Sequence, residues 1–351
     1  MKILYLEHQI PNFLADLLYK GLCEELGASS VVDHPWKFLY HGISYEGEGR
    51  VTAPFRWMPA ADPREAAWPQ SDESVADKIA SFDLVVLASP REQNVLALQR
   101  IIDRVGRGAL RRFVIVDGED YTSVRWDLVE RFRPDVYFKL SMVPEHLVFE
   151  LYPELKVRLA PHTKVVAFPL ACPTKPLEPV SKDIDVSFLG GSHWHPASLR
   201  KEGVEWRGPS ATQYRAALID RLSKEFPSFV GSVANIEYDK FMSLLNRSKV
   251  AVCVGGHGIE PFRTYEILSC PETLLCRERI PVIAPHPLVE GIHCAMFDTG
   301  DGFDHEEIVS KIRYYLDHDQ VRIEVAQAGN ALAQEHYTLK ARVRQLLGEV
   351  F

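Results

Sequence analysis

Short, continuously apolar runs alternate with longer amphipathic segments along most of the chain. Continuous apolar strands, as opposed to alternating ones, are typical of parallel sheets that helices cover on both faces. The pattern therefore favours two doubly wound α/β domains, with ligands at the carboxyl ends of the strands. The predicted strands are Ile3–Leu6, Ser30–Val32, Asp83–Ser89, Arg112–Asp117, Val136–Leu140, Lys164–Phe168, Asp185–Ser192, Val250–Val254 and Ile280–Pro285, and the predicted helices are Phe13–Leu26, Gln93–Val105, Val124–Arg131, Glu306–Leu316, Val321–His336 and a last helix at the end of the chain.

The most informative stretch runs from Val250 to Glu266. An apolar strand ends in a glycine-rich loop, and a helix then begins with Arg263 and Glu266, which lie three residues apart and share a face. Glycines let the backbone approach a ligand, and a helix N-terminus attracts anions. Arginine can fork onto phosphate oxygens, and a carboxylate can accept hydrogen bonds from ribose hydroxyls. The stretch therefore suits a nucleoside diphosphate, or it is an ordinary crossover whose Arg263 and Glu266 pair on the surface.

The segments after Glu266 carry a family resemblance. The strand-like Ile280-Pro-Val-Ile-Ala-Pro285, the turn at Val289-Glu-Gly, the Phe297-Asp-Thr-Gly-Asp301 strand end and the Tyr314-Tyr-Leu-Asp-His318 helix follow one another. This order resembles the C-terminal half of the group-1 glycosyltransferases, and Arg263-Thr-Tyr-Glu266 resembles a signature of their CgeB-like branch. The resemblance implies the two-Rossmann GT-B fold, in which two doubly wound domains face each other across a cleft.

The resemblance also implies the division into domains. Phe168-Pro-Leu-Ala-Cys172 resembles the family's linker, and the strand from Asp185 resembles the one that opens its second domain. We therefore expect an acceptor-side domain over residues 1–170, a linker over 171–184 and a nucleotide-sugar-binding domain over 185–335. Residues 336–351 form a terminal helix, and the sequence leaves open whether that helix crosses back to the first domain.

The implied activity is transfer of a sugar from a nucleotide-diphosphate sugar to an acceptor hydroxyl. The first loop of the second domain and the glycine-rich loop with its helix would hold the donor. For Gly190 and Gly191 the alternative is a tight turn without a ligand, and for His257 it is an ordinary loop position. Many retaining members carry two glutamates eight residues apart, but Gly258 stands eight residues before Glu266, so the stereochemistry stays open. The expected donor-binding residues are Gly190, Gly191, Ser192, Gly256, His257, Arg263, Thr264 and Glu266.

An inverting transferase also needs a base on the acceptor side. Glu7 and His8 follow the first predicted strand directly, and Asp120 lies in the acidic run that follows the strand ending at Asp117. These three residues are the candidate catalytic groups. The alternatives are plain turn and loop residues, and a retaining transferase would need no such base.

Composition narrows the function further. The net charge of −8 argues against a nucleic-acid partner, because binding to phosphate backbones needs concentrated positive charge. No apolar run approaches the length that spans a bilayer, and the chain starts with a strand and lacks the features of a signal peptide. The six cysteines show no paired spacing, which suits reduced thiols in a cytoplasmic protein.

The sequence predicts neither a metal site nor a cofactor other than the donor substrate. His193-Trp-His195 and Asp183-Ile-Asp185 each supply two ligands, and no third ligand accompanies them. In the segment 270–279, which the family lacks, we expect an extra helical turn, and its Arg277 and Arg279 are either exposed or approach the phosphates. For the aromatic-rich residues 36–68 three interpretations stay open: they bind an acceptor, they fill an irregular excursion of the chain, or they form a dimer surface. Two alternative functions share the fold, namely a catalytically silent nucleotide or sugar binder and a nucleotide-sugar epimerase.

Overall fold

The computed structural model describes residues 1–10, 12–41, 71–144, 163–172, 177–190, 211–231, 236–256, 258–298 and 305–351. Their contacts divide the chain into two units. The first comprises Met1–Ala171 together with Leu339–Phe351, and the second comprises Cys172–Thr338. The last helix of the chain thus belongs to the first unit, although the whole second unit precedes it in sequence.

Each helix predicted from the amphipathic segments has a counterpart in the described ranges, whereas the helices at Asp72–Asp77, Ala211–Glu225 and Tyr238–Arg247 were not predicted. Helix α1, for example, starts where Asn12 caps it by accepting a hydrogen bond from Ala15 N–H at 3.0 Å, and it ends at Gly27, whose φ of 85° suits glycine. The helices are α1 (Phe13–Leu26), α2 (Asp72–Asp77), α3 (Glu92–Val105), α4 (Trp126–Phe132), α5 (Ala211–Glu225), α6 (Tyr238–Arg247), α7 (Arg263–Leu268), α8 (Glu306–Asp317), α9 (Asp319–His336) and α10 (Leu339–Val350).

The first unit is built on a parallel sheet with the order β2-β1-β3-β4-β5-β6. Strands β1, β3, β4 and β5 are buried along their whole length, as their continuous apolar runs predict. The strands are β1 (Ile3–Leu6), β2 (Val31–His34), β3 (Leu84–Leu87), β4 (Phe113–Asp117), β5 (Val136–Lys139) and β6 (Lys164–Ala167).

The second unit has its own parallel sheet, with the order β11-β10-β9-β7-β8. Helices on both faces cover it, so the predicted α/β fold with two doubly wound parallel sheets is confirmed. The strands are β7 (Ile184–Phe188), β8 (Phe229–Gly231), β9 (Ser248–Cys253), β10 (Leu274–Glu278) and β11 (Ala295–Phe297).

One predicted strand is wrong. Residues 280–285 are exposed or half-buried and form no strand, while the strand beside β9 is Leu274–Glu278, in the segment where an extra helical turn was expected. Pro281 and Pro285 have no N–H to donate, which disfavours the first segment as a ladder strand. Because Arg277 lies on β10, it is only 7% exposed, whereas Arg279 just beyond the strand is exposed as expected.

Strand order locates the candidate sites. In both sheets the first strand in sequence lies between the second and the third, so consecutive crossovers leave in opposite directions. Such a reversal opens a crevice at the carboxyl ends of the two strands concerned. In the first unit these are β1 and β3, and in the second unit they are β7 and β9.

Candidate functional site

The glycine-rich loop after β9 is held by hydrogen bonds of its own. Gly255 N–H donates to Glu278 Oε2 at 2.9 Å, and Gly256 N–H donates to the carbonyl of Gly258 at 3.0 Å. A Cβ at Gly255 would lie 3.3 Å from the Glu278 carboxylate, so glycine allows this close approach. The amides of Gly255 and Gly256 are therefore both bonded within the protein.

Arg215, on α5, holds the same loop from another direction. Its Nη2 donates to the Gly255 carbonyl at 2.7 Å and to the Val254 carbonyl at 3.2 Å, and its Nε reaches Gly255 O at 3.2 Å. A Cβ at Gly256 would lie 3.0 Å from Nη2, so the glycine gives the guanidinium room. Sequence reasoning missed Arg215 and Glu278, because neither lies in the motif that the two residues support.

Arg263 and Glu266 pair on the first turn of α7, with Nε donating to Oε2 at 2.9 Å. Glu266 is only 4% exposed, so the pair is not the surface pair of the alternative interpretation. Burial raises the pKa of Glu266, and the charge of Arg263 and the nearby Tyr238 hydroxyl oppose that rise. This carboxylate is thus buried at the strand end with one guanidinium beside it.

The remaining predicted donor residues have different surroundings. Thr264 is buried and its hydroxyl contacts the Cys253 thiol at 3.6 Å, so it packs α7 against β9. Gly190 follows β7, where a Cβ would meet the Phe188 ring at 3.4 Å. Gly191, Ser192 and His257 lie outside the described residues.

Three arginines contribute positive charge at the carboxyl end of β9. Burial raises the pKa of the Cys253 thiol there, and the charges of Arg277, Arg263 and Arg215 all act to lower it. Burial lowers the pKa of Arg215, and the positive charge of Arg263 lowers it further. Arginines from α5, α7 and β10 therefore act together on one strand end, and this positive charge favours an anionic ligand.

In the first unit, Glu7 lies at the end of β1 and is fully buried. Its Oε2 accepts a long hydrogen bond from Asn94 Nδ2 at 3.4 Å, and its Oε1 lies 3.8 Å from Lys37 Nζ, too far for a hydrogen bond. Burial raises the pKa of Glu7 to about 8, although the charge of Lys37 opposes this. The carboxyl group is therefore mostly protonated at neutral pH.

His8 is buried beside Glu7, and its two ring nitrogens have different partners. Nδ1 accepts a hydrogen bond from Ile10 N–H at 2.8 Å, and Nε2 lies 3.1 Å from Arg91 Nη1. Burial, followed by the charges of Arg91 and Lys37, lowers the pKa of His8 to about 4. The imidazole is therefore neutral at pH 7, and the lone pair of Nδ1 is already in use.

Arg91 connects three strand ends. It contacts His8 after β1, and its Nε donates to Glu119 Oε1 after β4 at 2.6 Å, while Arg91 itself follows β3. Glu119 Oε1 also accepts from Asn12 Nδ2 at 3.1 Å. Asp120, the next residue, is exposed. Sequence reasoning missed Arg91, since nothing in its local sequence separates it from other helix-start arginines.

Among the residues described, no three His, Cys, Asp or Glu side chains form a metal-binding group. In the same ranges, no helix combines the length and apolarity needed to cross a membrane. All six cysteines are free thiols.

The two parallel sheets and their helices have the architecture of the GT-B fold. Residues 183–348 match the profile of the family described as glycosyl transferase-like, a region that contains the whole site at β9. No curated protein sequence is significantly similar to this chain.

Solved structures support the fold over the full length. Anabaena HepE in complex with UDP-glucose aligns with a TM-score of 0.56 at 14% identity, covering 99% of this chain and 98% of that protein. HepE in complex with UDP gives a TM-score of 0.58 at 14% identity, covering 99% of both chains. A glycosyltransferase from Rickettsia africae gives 0.58 at 11% identity, covering 99% of this chain and 97% of that one. At such identities the likeness establishes the fold.

Proposed function

We propose that this protein is a metal-independent glycosyltransferase that takes a sugar from a nucleoside-diphosphate sugar. The observation that carries this proposal is the pairing of Arg263 with the buried Glu266 at the carboxyl end of β9, inside the region that matches the glycosyl transferase-like family. Arg263-Thr-Tyr-Glu266 further supports membership of the CgeB-like branch. The six free cysteines support a reducing, cytoplasmic environment.

On the donor side, Glu266 would accept hydrogen bonds from the ribose hydroxyls. Arg263 would bind the diphosphate, and Arg215 would add positive charge while it holds the loop. Guanidinium groups recognise phosphate oxygens in pairs and stay charged, so they can neutralise the leaving diphosphate in place of a metal ion. Because the Gly255 and Gly256 amides are already bonded, side chains would supply most of this recognition.

On the acceptor side, we assign the base to Asp120. Glu7 and His8 are buried, and the Nδ1 lone pair of His8 accepts a hydrogen bond from the backbone, whereas Asp120, the residue after Glu119, is exposed. In an inverting reaction, the Asp120 carboxylate takes the hydroxyl proton as the acceptor oxygen bonds to the anomeric carbon. As that bond forms, the bond from the anomeric carbon to the phosphate oxygen breaks, and the nucleoside diphosphate leaves with its electron pair. His8 contacts Arg91, which in turn binds Glu119, the residue before Asp120.

Calorimetry with UDP, GDP, dTDP, ADP and CMP, in the presence of EDTA, tests the donor site. We expect selective binding of one diphosphate, weakened about tenfold or more in Glu266→Ala by the loss of a charged hydrogen bond. Glu324→Ala, on an exposed position of α9 in the same unit, is the matched control and should bind like the wild type. If the wild type binds none of these nucleotides, the donor proposal is refuted.

Turnover separates the transferase from its alternatives. Release of free nucleoside diphosphate from the bound sugar nucleotide requires an assembled site, so its complete absence would favour the silent binder. Conversion of the donor into an isomer without any acceptor would favour the epimerase. Asp120→Asn should lower kcat about 100-fold or more if it removes a general base. An unchanged kcat would indicate a retaining reaction without a protein base.

A further inference from the structure

Helix α6 brings an aromatic side chain against the guanidinium of Arg263. Phe241 is nearly buried, and its ring centroid lies 4.2 Å from Arg263 Cζ. The Tyr238 ring, one turn earlier on α6, lies 5.9 Å from Phe241 at an angle of 23° and holds that ring in turn. A cation this close to an aromatic ring is attracted by the negative charge at the ring face.

The guanidinium is thereby fixed in two ways. Its Nε donates to Glu266 at 2.9 Å, which orients one edge, while Phe241 defines its position from the ring side. Within the described part of the chain, Nη1 has no hydrogen-bond partner, and 27% of the side chain is exposed. Because the Arg263 guanidinium is planar and is held by both contacts, its remaining N–H donors already point in fixed directions before a ligand binds.

We propose that Phe241 is a positioning residue for binding of the donor's diphosphate, acting through Arg263. This inference rests on the proposed function and adds a residue outside the Arg263–Glu266 motif. A phosphate oxygen accepts from N–H groups in a defined plane, so a guanidinium that is already oriented loses less conformational freedom on binding. A leucine at position 241 would still be apolar but would have no ring face to hold that plane.

Affinities for inorganic pyrophosphate, for the nucleoside diphosphates and for the matching nucleosides test this role. We expect Phe241→Leu to weaken pyrophosphate and diphosphate binding about three- to tenfold, the range that a partly exposed cation–π contact supports. Binding of the nucleoside, which has no phosphate, should not change. Phe241→Tyr keeps the ring and should restore the affinity. Met242→Leu, a buried neighbour on the same helix, is the control for packing and should behave like the wild type.

A double-mutant cycle with Arg263→Gln distinguishes positioning from packing. If Phe241 acts through Arg263, then Phe241→Leu has no further effect on diphosphate affinity once Arg263 is replaced. An equal loss in both backgrounds, or an equal loss for nucleoside and diphosphate, would overturn the proposal while the donor site stood. Absence of any diphosphate binding by the wild type would instead refute the proposed function, and this role with it.

The Arg263 Nε–H resonance in an NMR spectrum reports the contact without a ligand. A ring current from Phe241 should shift this resonance in the wild type and in Phe241→Tyr, and the shift should disappear in Phe241→Leu. A resonance at the same position in the wild type and in Phe241→Leu would show that the ring does not hold the guanidinium, which would overturn the proposal directly.

Discussion

Arg215 and Gly255 are joined by two hydrogen bonds, which reach the Gly255 carbonyl from Nη2 at 2.7 Å and from Nε at 3.2 Å. The amide of the same glycine donates to Glu278. The Arg215 guanidinium on α5 thus binds the carbonyl of Gly255, and the Glu278 carboxylate on β10 binds the amide of Gly255. The loop conformation depends on both side chains, and it brings the Arg215 charge close to Arg263.

Replacing Arg215 with lysine should therefore weaken the donor site. A lysine ammonium cannot reproduce the planar fork that bonds two neighbouring carbonyls. We expect Arg215→Lys to lower the affinity for a nucleoside diphosphate about tenfold, which corresponds to the loss of one charged hydrogen bond. Calorimetry measures this, and Arg221→Lys, on the same helix but paired with Glu225 and Glu306, is the control. Equal affinities in the two variants would contradict the prediction.

Gly329 should tolerate no side chain. A Cβ there would lie 2.2 Å from the His293 carbonyl oxygen and 3.2 Å from Leu268 Cδ2, so α9 or its neighbour would have to move. We expect Gly329→Ala to destabilise the protein by about 1–3 kcal/mol, as overpacked positions do. Denaturant titrations followed by circular dichroism measure this change.

Gly348 provides the matched control for helix glycines. It lies in α10, and a Cβ there would meet nothing within 4 Å. Gly348→Ala should be neutral or stabilise by up to about 1 kcal/mol, since alanine favours helix more than glycine does. A Gly329→Ala variant as stable as Gly348→Ala would show that the close approach to His293 is not maintained in solution.

Glu7 should make stability depend on pH. Its carboxyl pKa rises from 4.5 to about 8 in the folded protein, chiefly through burial. Between these values the folded state holds a proton that the unfolded state has released, so this contribution is fully present below pH 4.5 and is lost as pH rises through 8. Glu7→Gln removes the titration. The stability of the wild type relative to Glu7→Gln should therefore fall as pH increases.

Thermal unfolding of both proteins from about pH 6.5 to 9 checks this prediction. His8 contributes little over this range, because its pKa is 6.5 in the unfolded chain and about 4 in the folded protein. The folded pKa of His8 is lowered, so its contribution is lost as pH falls, in the opposite direction. Parallel melting curves of the wild type and Glu7→Gln across this range would show that Glu7 is not protonated in the folded state.

Arg91 should matter for turnover and not for donor affinity. It contacts His8 and Glu119 in the first unit, whereas the proposed donor groups lie in the second unit. We expect Arg91→Gln to reduce kcat about tenfold or more through misplacement of the acidic turn, with an unchanged Kd for the nucleoside diphosphate. Arg100→Gln, an exposed position on α3, is the control. A weakened Kd in Arg91→Gln would contradict this division of roles.

The local elements were predictable because their causes are local. Strand β1 and helix α1 lie at the predicted residues, since an apolar run, the cap at Asn12 and the stop at Gly27 act within a few positions of one another. The strand predicted at 280–285 was wrong, because a second apolar run precedes it and has no proline. That run, Leu274–Glu278, is the one that pairs with β9.

The site was predictable only where its residues share a motif. Arg263 and Glu266 lie three apart on one helical turn, so their pairing follows from helix geometry. Arg215 lies 40 residues from Gly255, and Arg91 lies 83 residues from His8. Those contacts exist because strand order brings distant strand ends together. The sequence by itself determined the periodicity of the elements, the fold class and the motif, whereas the tertiary structure decided which side chains hold the loop and which carboxylates are buried, because both depend on neighbours far away along the chain.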